Sequence, residues 1–418
     1  MSDALTDRLT AIVGARHVSA DPDVLAGRCV DHTGRYRGKA SALVRPGSAD
    51  EVAAVLAACR DAGAYVTVQG GRTSLVAGTV PEHDDVLLST ERLSELGPID
   101  VVERRVRVGA GATAAAVQKA AVEAGLVFGV DLASRDSATV GGMAATNAGG
   151  LRTVRYGNMG EQVLGLDVAL PDGSVVQRHS DVRRDNTGYD LAALFIGAEG
   201  TLGVITALDL RLHPTPAHRV TAVAGFADLG ALLEAARGLR DADGIAALEL
   251  VDARASALTA EHLGVGAPVD GAWQLLIELA GDVDHTDRLA EALEGADLAG
   301  EPAVGVDVAA YAPDAIPLLF GHVGEGNLHL NLVRCTLDGE RERQLYAAMM
   351  ELIANHHGNV SSEHGVGSRK RDYLAMSRTE ADIAAMRAVK MAFDPKGYLN
   401  PAVLFLREQT QKPLNSGI

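Results

Sequence analysis

Residues 69–78 read QGGRTSLVAG and follow a short apolar strand, Tyr65–Val68. In this loop Gly70, Gly71 and Gly78 frame Arg72, Thr73, Ser74 and Leu75 directly after a strand end. Glycine lets successive backbone N–H groups close on a pyrophosphate, and Thr73 and Ser74 add hydroxyl donors. No G-K-[ST] follows, so this is not the loop of the P-loop nucleotide hydrolases. Taken alone, it reads equally well as a plain turn. Upstream, Ser48 and Glu51 make an S-x-x-E capping box before the helix EVAAVLAACRDAG, which Gly63 closes. Downstream, two stretches repeat the glycine chemistry: SATVGGMAATNAGG at Ser137–Gly150 and GAEGTLGVIT at Gly197–Thr206. Three such loops weaken the plain-turn reading. They point to a large dinucleotide cradled by backbone rather than by a basic pocket.

A competing signal lies between them. Gly109–Ala114 is G-x-G-x-x-A, a helix follows, and Asp131 sits near the offset where a dinucleotide fold places its ribose acid. The preceding VVERRVRV is read as a strand, and it alternates apolar and charged residues, so one face meets solvent or a polar cover. A central parallel strand would be almost wholly apolar. A nicotinamide site is therefore rejected in favour of an ordinary glycine-rich turn.

The chain has 418 residues, 38 Lys+Arg against 55 Asp+Glu, and a net charge of −17, so a duplex or polyphosphate surface is a poor partner. Its length suggests two or three domains, and 47% hydrophobic residues supply a sizeable core. Cys29, Cys59 and Cys335 form no CxxC pair and read as reduced thiols of a cytoplasmic protein. The first residues, MSDALTDRLTAIVG, lack the basic and apolar regions of a secretory signal, and no apolar run is long enough for a bilayer.

An Asp-Gly turn sits inside LGLDVALPDGSVVQ, and HPTPAHR at 213–219 reads as a linker. After it the order is strand, helix, strand, strand, helix: an α+β unit with helices on one face of an antiparallel sheet. Phe320–Leu332 reads FGHVGEGNLHLNL. A hairpin there would join His322 to a strand on which His329 and Asn331 share one face. SSEHGVG adds Glu363 and His364. Two histidines and a carboxylate match a catalytic zinc-type ligand set, although on spacing alone polar residues buried in turns explain them better.

Taken together, QGGRTSLVAGTVPEHDDVLLSTERL, VGGMAATNAGG, RYG, GAEGTLGVIT, GHVGEGNLH and SSEHGVGSRK resemble, in order and over nearly the whole chain, the FAD-dependent D-2-hydroxy-acid dehydrogenases. These include D-2-hydroxyglutarate and D-lactate dehydrogenases and the glycolate oxidase flavoprotein subunit, within the superfamily of p-cresol methylhydroxylase and vanillyl-alcohol oxidase. The resemblance implies an α+β fold with three parts. They are an FAD-binding domain over 1–215, a substrate cap over 216–378 carrying the metal-site motifs, and a segment over 379–418 returning to the FAD domain. It implies FAD with its diphosphate on Gly70, Gly71, Arg72, Thr73 and Ser74, beside Leu75 and Gly78. The rest of the flavin would lie along Ser137, Gly141, Gly142, Asn147, Gly149 and Gly150, and along Glu199, Gly200, Gly203 and Ile205. Asp131, Tyr156, Gly157 and Asn400 complete the expected cofactor set. Arg72 stands where many relatives have Asn, and with no histidine in that loop the FAD is expected to be non-covalent there.

For the chemistry, the resemblance implies His322, His329 and Glu363 as ligands of a divalent metal, with zinc expected. His364 would be the general base, Asn327 would lie near the substrate, and Lys370 would help to hold an anionic 2-hydroxy acid. A cation stabilises an alkoxide, and a neutral imidazole suits proton abstraction at cellular pH. The expected reaction oxidises a D-2-hydroxy acid to the 2-keto acid. A quinone or an electron-transfer protein would take the electrons, and a homodimer is possible. The alternatives are a glycolate oxidase-like subunit or a catalytically weakened flavin- and metal-binding homologue. One departure motivates the last. Relatives carry an Arg and a Lys before GHxGxGNxH, but this chain reads as shorter there by about a few dozen residues, and a carboxylate without a cation would be costly to bind. Residues 302–322 contain no Arg or Lys. Either the clamp is lost, with Arg72, Arg135 or Arg334 replacing it, or the chain was shortened, or residues near Gly305–Asp307 are missing from the sequence. The last is favoured; an intact mass agreeing with 43.4 kDa would refute it.

Overall fold

The computed structural model describes residues 2–179, 187–264, 268–293, 314–335 and 339–405, with 266, 312 and 337 as single positions. Its N-terminal part holds two sheets. In the first, Ala40–Val44, Asp85–Ser89 and Val66–Gln69 run parallel, with Val18–Ser19 antiparallel at one edge. Helix Ala49–Ala62 covers this sheet through Val52, Val55, Leu56 and Cys59, all wholly buried. Ser48 caps it by accepting from the Glu51 N–H at 3.1 Å, and Gly63 ends it in the left-handed region at φ 68°. The expected capping box is only half made: Glu51 accepts instead from the Gly47 N–H at 2.7 Å and faces Arg92.

The second sheet is antiparallel throughout, in the order Leu96–Asp100, Arg105–Gly109, Val204–Arg211, Val163–Ala169, Val175–Arg178. The nicotinamide motif fails on this pairing, because the strand that ends at Gly109 has antiparallel neighbours on both sides and belongs to no βαβ unit. Val106 and Val108 are buried, while Arg107 pairs with Asp167 and Asp209 on the outer face. Val101–Arg104, expected to continue that strand, instead form the turn of a hairpin.

A five-stranded antiparallel sheet follows, ordered His218–Phe226, Trp273–Gly281, Ile245–Asp252, Ile316–His322, Asn327–Val333. Helix Leu229–Arg240 packs on it around Leu232, Leu248, Leu250, Leu275 and Ile277. Two details differ from the sequence reading. The linker is shorter than HPTPAHR, because His213–Pro214 still pair with Leu126–Val127 and His218 already opens the sheet. A further helix, Ala253–Leu263, separates two strands expected to be consecutive. It starts on an Asp252 side-chain cap and buries no residue, so it carries no strong apolar stripe to read. The C-terminal segment returns to the first sheet: Leu399 bridges Val66, and the Asn400 side chain accepts from the Val68 N–H at 2.8 Å and donates to the Glu199 carbonyl at 2.8 Å.

Candidate active site

A cavity of about 700 Å3 lies between the N-terminal sheets and the C-terminal one, within the usual range for cofactor sites. One wall is main chain. Among the described residues, the backbone N–H groups of Gly70–Leu75 have no hydrogen-bond partner, so a row of donors lines one end. The glycines are required by close approach: a Cβ on Gly71 would overlap the Ser137 carbonyl, and one on Gly70 would run into the Thr139 hydroxyl. Two glycine-rich segments thus press into one surface. Six consecutive unpartnered donors beside Thr73 and Ser74 suit a diphosphate.

Of the residues predicted to touch the cofactor, the cavity brings together Gly70, Gly71, Arg72, Thr73, Ser74, Leu75, Gly78, Asp131, Gly141, Gly142, Gly150, Glu199, Gly200, Gly203, Ile205 and Asn400. Ser137, Asn147, Gly149, Tyr156 and Gly157 stand behind that lining. There Ser137 backs Gly71, Asn147 accepts from the Gly160 N–H at 2.8 Å, and the Tyr156 ring meets that of His213 at a tilt, centroids 4.6 Å apart. Glu199 is held in the left-handed region at φ 51°, and its carboxylate accepts from the Val366 and Gly367 N–H groups at 2.7 and 2.8 Å. Burial raises its pKa, and those two donors oppose the rise. Glu199 therefore ties one glycine-rich loop to the segment carrying Glu363 and His364.

The opposite wall is side chain. Register sets it: Phe320 pairs with His329 and His322 with Asn327, so these four lie on one face of the hairpin. The turn ends at Gly326, φ 72°. Glu363 closes the group, with its Oε2 3.9 Å from His322 Nε2, 3.5 Å from His329 Nε2 and 4.0 Å from His364 Nε2. Ligand atoms of His322, His329 and Glu363 all lie within 4.8 Å of one another, a spacing and donor set that suit a divalent cation. Asn327 does not reach the cavity; it donates to Glu363 Oε2 at 2.7 Å and accepts from Ser362. Lys370 also lies off the lining, bonded to Ser361 at 3.2 Å, and burial lowers its pKa while Glu199 opposes this.

Burial lowers the pKa of both His329 and His364 despite the Glu363 charge, so their imidazoles are neutral near pH 7. His322 differs. Burial would lower its pKa too, but a bond to Glu249 and the charges of Glu249 and Glu363 outweigh that and raise it. Sequence reading missed Glu249, Phe320 and Asn331 as cavity residues. The only available signal for Glu249 was an acid in the apolar run IAALELVD. Of the cations considered as replacement anion clamps, Arg72 and Arg135 line the cavity, whereas Arg334 pairs with Glu261 at 2.8 Å away from it. Of the Arg- and Lys-free stretch before His322, residues 302–311 and 313 lie outside the described residues.

Comparison with known proteins decides the family. Residues 40–178 match the FAD binding domain, and residues 215–315 and 306–404 match the C-terminal domain of FAD linked oxidases. The mitochondrial D-2-hydroxyglutarate dehydrogenase of Bos taurus is 33% identical, over 92% of this chain and 80% of its own length. The chain belongs to the FAD-linked oxidases. It is also similar to the D-2-hydroxyglutarate dehydrogenase of Stutzerimonas stutzeri, 30% identical over 96% of this chain and 99% of that protein. A putative mitochondrial D-lactate dehydrogenase of Schizosaccharomyces pombe is 29% identical, over 92% and 85% of the two chains. The fold is that of p-cresol methylhydroxylase, at a TM-score of 0.73 and 16% identity over 97% of this chain and 96% of that one. The alignment with the Stutzerimonas protein runs over 458 residues, more than the 418 of this chain, so that relative carries segments absent here. The C-terminal match comes as two segments that overlap at 306–315, inside the stretch where the sequence reading finds the chain short. No described helix is long and apolar enough to cross a membrane.

Proposed function

We propose that this FAD-linked oxidase converts a D-2-hydroxy acid, of the D-2-hydroxyglutarate or D-lactate type, to the 2-keto acid. The observation that carries the reading is the meeting in one cavity of six unpartnered backbone donors with a His322–His329–Glu363 cluster and a neutral His364. FAD, when bound, supplies the acceptor for the hydride from the substrate Cα, and a divalent ion, zinc in this proposal, supplies positive charge beside the substrate hydroxyl. His322, His329 and Glu363 would hold that ion. His364 takes the hydroxyl proton at Nε2, the nitrogen that faces Glu363, and burial keeps it unprotonated beforehand. Asn327 fixes the Glu363 carboxylate. The Cα hydride, which carries both electrons, would leave to the cofactor and the hydroxyl proton to His364, so the carbonyl product remains.

The proposal includes non-covalent FAD at the Gly70–Ser74 loop and the division at about residues 215 and 378. It also includes a cytoplasmic location and a quinone or electron-transfer protein as acceptor. Names of the relatives favour D-2-hydroxyglutarate as substrate. The test is an anaerobic titration of the purified protein, followed in the visible spectrum, with D-2-hydroxyglutarate, D-lactate and glycolate. Bleaching by one D-acid and not its L-enantiomer is expected. Flavin bands that no acid bleaches would favour the weakened homologue, for which the Arg- and Lys-free stretch at 302–322 is the supporting observation.

A further inference from the structure

Glu249 belongs to none of the motifs discussed above, yet it lies at the centre of the side-chain wall. It sits on Ile245–Asp252, where Leu248 and Leu250 point into the core on one face and Glu249 faces the cavity on the other. Pairing of Leu250 with Gly321 and of Val251 with Phe320 sets Glu249 directly across from His322. Both carboxylate oxygens lie 2.8 Å from His322 Nδ1, and the side chain is 13% exposed. A carboxylate only accepts, so Nδ1 carries the hydrogen and Nε2, which faces Glu363, presents its lone pair.

We infer that Glu249 is a positioning residue that fixes the tautomer and ring orientation of His322 and completes the charge balance of a divalent-metal site. This rests on the reading of His322, His329 and Glu363 as ligands. With one carboxylate among the three ligands, a bound dication leaves the site at +1; Glu249 brings it to zero before any substrate carboxylate arrives. The partner of a ligating histidine typically contributes about 10- to 100-fold in metal affinity. Two separate strands must therefore hold register for the site to form, and the acid comes from a segment about seventy residues before the histidine it orients.

The experiment measures Zn2+ affinity by competition with a chromophoric chelator on full-length protein, alongside FAD content and thermal melting, for wild type, Glu249→Ala, Glu249→Gln and His329→Ala. Glu249→Ala should weaken Zn2+ binding about 10- to 100-fold. Glu249→Gln, which keeps an acceptor but loses the charge, should weaken it less, and both should retain FAD and melt cooperatively. Wild-type Zn2+ affinity in Glu249→Ala, together with loss in His329→Ala, would overturn the role of Glu249 while leaving the metal site standing. Absence of Zn2+ binding by wild type would overturn the metal site and the role of Glu249 with it. Should Glu249→Ala not fold, Glu249→Gln decides: unchanged affinity there removes the charge-balance claim.

Discussion

The loop Gln69–Gly78 offers the cavity a row of backbone N–H groups, whereas the hairpin Ile316–Val333 offers it imidazoles held in place by strand register. The first wall needs glycine at close approaches and tolerates many side chains between them. The second needs particular side chains on three elements, with no tolerance for a one-residue slip, because a slip would turn His322 and His329 to the other face. The two walls should therefore fail in different ways. The largest effect is expected from His364→Gln, which removes the proton acceptor: turnover of the D-2-hydroxy acid should fall about 10²- to 10⁴-fold with flavin content unchanged. Steady-state kinetics beside the flavin spectrum check this. Loss of flavin in that variant would mean that the walls are not separable.

The walls meet through Arg152, which bonds Glu278 on the C-terminal sheet at 2.8 and 3.2 Å and Asp131 on the cavity lining at 3.2 Å. Glu278 is only 7% exposed. Arg152→Met leaves it without its bidentate partner and should destabilise the protein by about 3 kcal/mol, read by denaturant unfolding. If the two parts hold together mainly by apolar packing, the loss will be far smaller. Gly71→Ala tests the backbone wall by itself. The new methyl meets the Ser137 carbonyl, which is main chain and cannot swing aside. About 1–3 kcal/mol of stability and most of the bound FAD should go, while Zn2+ binding at the far wall persists.

The same contrast explains what the sequence made legible. Glycine-rich loops and the helix Ala49–Ala62 are local: a capping serine, an apolar stripe and a closing Gly63 sit within one short window. His322 and His329 were also legible as a pair, because a hairpin is a local object with period two. Glu249 was not, since its meaning depends on which distant strand lies beside it, and Ile245–Asp252 pairs with Ile316–His322 only after, among the described residues, two helices and the strand Trp273–Gly281 have intervened. Helix Ala253–Leu263 escaped for the opposite reason: it buries nothing, so no periodic pattern marks it. Asn327 and Lys370 were read as facing the substrate because they sit inside site motifs. In the structure Asn327 bonds Glu363 and Lys370 bonds Ser361, and neither lines the cavity.

The smallest effect separates a support of the backbone wall from the chemistry. His213 packs at a tilt against Tyr156, ring centroids 4.6 Å apart, and its Nε2 lies 2.8 Å from the buried Gln162 Oε1, so it donates there as the neutral ring. Burial, reinforced by Arg211, Arg155 and Arg104, lowers its pKa from 6.5 to about 4. The sign follows from proton counting. Between those two values the unfolded chain binds a proton at His213 that the folded protein refuses, so stability falls as pH drops from about 6.5 towards 4. Allowing for the ring's partial exposure, the contribution at pH 5 is on the order of 1 kcal/mol. His213→Gln, which keeps a donor for Gln162 and cannot titrate, should flatten the stability curve over that window. At pH 8, where the histidine is neutral in both states, the pH-linked difference between variant and wild type should vanish. Urea unfolding at pH 5, 6.5 and 8 reads the difference directly. An unchanged slope would mean that the ring is solvated enough to titrate normally and that Tyr156 is held behind the cavity by packing alone.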